Sequence, residues 1–130
     1  MTVITSIDIE NEIREALSGY MNVYVRPLPA EYALPHILIT QVGGTTDQTI
    51  DTFEVVLDSR ARSEADAISY INLAVGLLKK IAREQTSDIR HVTVNSSGSW
   101  GADPVRPDLA MCSARVSVVA HQTTTEVINA

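Results

Sequence analysis

The chain has a single cysteine, a single tryptophan and a single phenylalanine, and the scarcity of cysteine already closes off several kinds of protein. One thiol, Cys112, excludes an intrachain disulfide framework and any multi-cysteine zinc site. It falls in the alternation Ala110, Cys112, Ala114, Val116, Val118, Ala120, so the spacing predicts a small buried hydrophobe on the apolar face of a strand, not a reactive thiol. No apolar run approaches the roughly 20 residues needed for a membrane-spanning helix, and the first residues include acids where a signal peptide is basic. The expectation is synthesis in the cytoplasm and no membrane partner. Basic residues are also few, 10 Lys and Arg against 16 Asp and Glu, for a formal net charge of -6. That balance repels phosphate backbones, so no specific nucleic-acid binding is expected.

What is present is ordinary globular material. Hydrophobic residues make up 45% and charged residues 20% of 130 residues, enough for one compact core, with no repeat or low-complexity segment. Residues 1–121 are expected to form a single α+β domain and residues 122–130 a polar C-terminal tail. The periodicity predicts a helix over residues 5–19, capped by Thr5 or Ser6, with Ile9, Ile13, Ala16, Leu17 and Tyr20 as its stripe and Gly19 as its left-handed stop. Its acids, Asp8, Glu10, Glu12 and Glu15, read as a solvated face favoured by the helix dipole. A short strand over Val23–Arg26 follows, then a loop set by Pro27, Pro29 and Pro35. Strands are predicted from His36 to Val42 and from Ile50 to Arg60, joined by a long polar tip that Gly43-Gly44 opens. Ser63 should cap a long core helix bearing Ile68, Ile71, Val75, Leu78, Ile81 and Ala82, with Lys79, Lys80 and Arg83 near its end, where cations suit the dipole. Strands over Ile89–Ser96 and Leu109–His121 flank a loop, residues 97–108. The order is α-β-β-β-α-β-β, a single mixed or mainly antiparallel sheet of about five strands with both amphipathic helices on one face.

Chemistry is harder to find in this pattern. His36, His91 and His121 lie on three predicted strands without metal-ligand spacing, and Gly43-Gly44 lacks the Lys and Ser/Thr of a phosphate loop. Glu54 and Asp58 share the outward face of one strand, where carboxylates are ordinarily solvated, and no nucleophile motif accompanies them. No catalytic residue, metal ligand or cofactor is therefore expected. Exposed features are better defined. The hairpin tip Gly43, Gly44, Thr45, Thr46, Asp47 and Gln48 is one candidate interface. Trp100, in a Gly- and Pro-rich segment, is another, with Arg106 and Asp108 beside it, free to pair with each other or across a subunit boundary.

The arrangement resembles the tail terminator or tail-completion proteins of long-tailed bacteriophages. The resemblance rests on Val25-Arg26-Pro27-Leu28-Pro29 after the first helix and on Leu34-Pro35-His36-Ile37-Leu38-Ile39 running into Val42-Gly43-Gly44. It continues through Phe53-Glu54-Val55-Val56-Leu57-Asp58, Ser63-Glu64-Ala65-Asp66-Ala67 opening the long helix, and Pro107-Asp108 before Ala114-Arg115-Val116-Ser117-Val118. It spans residues 5–121. It implies a structural virion protein of the tail and neck, without enzymatic activity, that forms a ring of copies of itself, a hexamer, capping the tail tube. Its partners would be the major tail tube protein and the head-to-tail connector or stopper, with DNA passing through an acidic lumen that repels it. Two alternatives carry different expectations: another neck protein of the same particle, or a small cytosolic ligand-binding domain or hydrolase.

Overall fold

The computed structural model describes residues 1–128, and the side chains of these except residues 97–102. The expected order is found with a strand added at each end: β1 (Thr2–Thr5), α1 (Ile9–Leu17), β2 (Val23–Val25), β3 (His36–Thr46), β4 (Ile50–Ala61), α2 (Glu64–Glu84), β5 (Ile89–Ala102), β6 (Ala110–His121) and β7 (Thr123–Glu126). The main sheet is five-stranded in the order β2-β3-β4-β6-β5. β2 runs parallel to β3 and every other pairing is antiparallel.

Alternation builds the core. Phe53, Val55, Leu57 and Ala61 of β4 are buried, and they stand opposite Val118, Val116, Ala114 and Ala110 of β6 on the same face. This is the face that α1 covers with Ile9, Ile13 and Leu17, and α2 with Ala67, Ile71, Ala74, Leu78 and Ala82. Cys112 is buried there as its spacing predicts. The stripe of α2 sits somewhat further round than the sequence implies, since Ile68 is 38% exposed while Ala67 and Ala74 are buried. Small side chains let the helix axis approach the sheet closely, and Ile68, one position on from Ala67, is turned about 100° away from the line of contact. Ser63 does cap the helix, accepting from the Asp66 amide at 3.2 Å.

Other expectations need correction. The first helix begins at Ile9 with Asp8 as its cap, accepting from the Asn11 amide at 3.2 Å. Thr5 and Ser6 do not cap it, because the β-branched run Thr2–Thr5 pairs instead with Thr123–Glu126. The expected tail after His121 therefore contains a strand. Gly19 does not supply a left-handed stop either, since the helix ends at Ser18 in right-handed conformation. Finally, Gly43-Gly44 does not end a strand. β3 runs on through them to Thr46 past an irregularity between Gln41 and Gly43, and β5 likewise continues past Ser96 to Ala102. Both hairpins are longer, and their tips shorter, than the residue types imply.

Candidate functional site

The extended β3–β4 hairpin ends in a tight turn. Thr46 pairs with Asp51, and the Asp47 amide donates to the Ile50 carbonyl at 3.0 Å. Gly44, at φ +153°, makes the close approach possible, since a Cβ there would stand 2.5 Å from the Thr52 carbonyl oxygen. Gln122, just past the end of the neighbouring strand β6, ties the turn down, donating to the Asp47 carbonyl and to the Asp51 carboxylate, both at 2.9 Å. Gly43, Gly44, Thr45, Thr46, Asp47 and Gln48 are all exposed. β2 pairs with Ile37–Ile39, so among the described residues the outer edge of β3 beyond them lacks a strand neighbour, although the Gln41 amide donates to Glu10 at 2.7 Å.

Arg106 and Asp108 lie at the other end of the sheet, in the turn joining β5 to β6. They pair with each other, Nη2 to Oδ2 at 3.0 Å and Nε to Oδ1 at 3.1 Å. The hydrogen bond from Arg106 is the main reason the Asp108 carboxyl is held below its usual range. The side chain of Trp100 lies outside the described residues. The candidate interface residues therefore divide between two ends of one sheet, separated by the length of β4, roughly 40 Å at about 3.3 Å per residue.

Beside Arg106 is a polar cluster that the sequence reading did not single out. Asp103 is buried, accepts from the Val105 amide at 2.9 Å, and receives Arg60 Nε at 2.8 Å with side-chain exposures of 15% for Arg60 and 7% for Asp103. Burial pushes the Asp103 carboxyl up, but the Val105 amide and Arg60 outweigh it and hold the group low. Next to Arg60, across the ladder, is His36, fully buried. Its Nδ1 donates to the Ala33 carbonyl at 2.9 Å, and the rings of Tyr32 and Tyr24 meet it edge-on at 4.9 and 5.4 Å. Tyr24 also accepts from the Ala33 amide at 3.0 Å. His36 is thus the peg on which the proline-marked strap, residues 26–35, is seated. The signal in the sequence was slight: an Asp-Pro pair fit for a turn, and an arginine on the outward face at a strand end.

The helix-free face of the sheet holds the two carboxylates considered for acid–base work. Glu54 accepts from Ser117 Oγ at 2.6 Å and from Asn95 Nδ2 at 3.1 Å, and Asp58 accepts from Ser113 Oγ, each serine being the direct cross-strand partner. Four residues of extended chain hold the two acids roughly 13 Å apart, beyond the range over which a carboxylate pair acts on one bond. Among the described residues no three His, Cys, Asp or Glu side chains gather to hold a metal ion. Compared with models of known protein families and with curated protein sequences, the chain matches none.

Proposed function

We propose that this chain is a structural virion protein, a tail terminator that assembles with further copies of itself into a ring, caps the tail tube and offers a docking surface to the head-to-tail connector. The observation that carries this reading is the division of exposed features between two opposed ends of one sheet. A component seated between tube and connector needs two separate docking surfaces, and a small domain supplies them most simply at the two ends of long hairpins. The β3–β4 tip provides one, and the turn bearing Val105, Arg106 and Asp108 provides the other. A net charge of -6 suits a lumen through which DNA slides without sticking.

The test is negative-stain microscopy of the purified protein mixed with tubes polymerised from the major tail protein encoded in the same genome. Capped ends and arrested growth are expected. Tubes that elongate unhindered, with no density added at either end, would overturn the reading. Binding to purified connector in the absence of any effect on tubes would move the protein to a neighbouring place in the neck.

A further inference from the structure

The helix α2 carries opposite charge on its two flanks. Its buried line, Ala74, Leu78 and Ala82, faces the sheet. At about 100° per residue, Lys79 and Arg83 fall on one side of that line and Ile81 and Glu84 on the other. On the first side, Lys79 and Arg83 border an open groove of about 230 Å³ whose far wall is His91 and Val92 of β5. On the second side, Glu84 and Ile81 face Glu12, Glu15 and Tyr20 across a cleft of about 330 Å³ between the two helices. Tyr20 is 71% exposed at its mouth.

Little within the chain uses these charges. Among the described residues, Lys79, Arg83, Glu12 and Glu15 form no ion pair; Glu15 accepts from Asn11 Nδ2 at 3.2 Å, and Glu84 meets Lys80 at 3.7 Å on the exposed surface, a contact worth little. An exposed tyrosine flanked by acids on one side, and a groove edged by cations on the other, are complementary in sign and in kind.

We infer that the acidic cleft between α1 and α2 receives the Lys79–Arg83 edge of a second copy of this chain. Repeated head to tail, each copy gives its basic edge on one side and receives one on the other, which generates a closed ring where the rotation closes, whereas a two-fold pairing of the same two flanks would stop at a dimer. This contact rests on the ring-forming reading above and supplies its subunit boundary.

Two double variants test it by light-scattering mass and microscopy. Lys79→Glu with Arg83→Glu makes both flanks acidic; Glu12→Lys with Glu15→Lys makes both basic. Each alone is expected to weaken self-association by about tenfold or more. Mixed in equal amounts, the two variants are expected to reassemble, because every contact in an alternating ring is again between opposite charges, and this recovery also shows that both fold. Wild-type association should weaken in about 1 M NaCl, where the Debye length is about 3 Å. Variants that assemble as well as wild type, or a mixture that stays apart, would overturn the contact, as would a wild-type chain that remains monomeric at low salt. Capping of tubes is scored in parallel. Caps that form regardless of these substitutions remove this boundary and leave the terminator reading standing, whereas loss of capping by the wild-type chain removes that reading itself.

Discussion

His36 and Arg60 stand directly opposite each other in the β3–β4 ladder, and each buries a nitrogen, Nε2 of one and Nη1 of the other, that has no hydrogen-bond partner among the described residues. With Nδ1 donating to the Ala33 carbonyl, the neutral ring presents Nε2 as a bare acceptor beside a guanidinium that donates. A protonated ring would instead bring a second cation to the same place. Burial is the largest cause that lowers the His36 pKa, reinforced by Arg60 and opposed by the Ala33 carbonyl and by Asp103.

The first prediction follows in sign. A histidine whose pKa is lower folded than unfolded favours the fold while neutral, so its contribution is present above the ordinary imidazole value, about 6.5, and is lost as pH falls through the folded value. Denaturant unfolding at a series of pH values should show stability declining below about pH 6.5, and His36→Gln should remove that component of the decline. A titration of the ring by NMR with a midpoint at or above the ordinary value would contradict it. Asp103, held low in the fold, adds a separate loss only at pH below the ordinary carboxylate range.

A second prediction separates a buried ion pair from an exposed one at the same end of the sheet. Asp103→Ala strands Arg60, which is 15% exposed, and should cost about 3 kcal/mol, the penalty for leaving a buried charge unpaired. Asp108→Ala releases an exposed Arg106 and should leave the unfolding midpoint where it is. Equal effects in the two variants would show that burial does not govern this end of the sheet.

Gly43 and Gly44 give the third. A methyl group at Gly43 meets only Glu54 Cβ, at 3.9 Å, whereas at Gly44 it collides with the backbone of the adjacent strand in a conformation that L residues rarely adopt. Gly44→Ala should destabilise by about 1–3 kcal/mol and Gly43→Ala by about 0.5 kcal/mol or less, as read from chemical unfolding.

How far the sequence disclosed this molecule depends on which physics each part obeys. The strict alternation of Phe53, Val55 and Leu57 and the 3.6-residue stripe containing Ile71 and Leu78 are local signals, and they placed β4 and α2 correctly. Gly43-Gly44 misled because glycine marks a strand end and a strand irregularity equally well, and only the partners Phe53 and Glu54 decide between them. Thr5 suggests a helix cap, and the strand Thr2–Thr5 goes unmarked, because its partner lies more than a hundred residues away and nothing local announces it. The hairpin tip and Arg106–Asp108 were legible as exposed polar turns. The His36–Arg60–Asp103 cluster was not, since it is assembled from three elements that no spacing connects.

The paired terminal segments yield a fourth prediction. β1 and β7 contact chiefly each other, and Ile4 on β1 is 62% exposed. A two-stranded ribbon without a core of its own is marginal in water. Amide hydrogen exchange should therefore be fastest at Thr2–Thr5 and Thr123–Glu126 and slowest in β4 and β6. A ribbon as protected as β4 in the isolated chain would contradict this.

The outer edge of β5 has a bearing on how the protein survives at high concentration. Its pairing with β6 shifts register between Ile89 and His91, between Val94 and Ser96, and again between Ser96 and Ser99. A straight fourteen-residue edge would invite fibril-like stacking of strand on strand, whereas these interruptions twist and break the row of backbone groups that a stray strand would need. Straightening them should leave the fold intact and make the chain prone to aggregate, a failure visible as turbidity long before any loss of secondary structure.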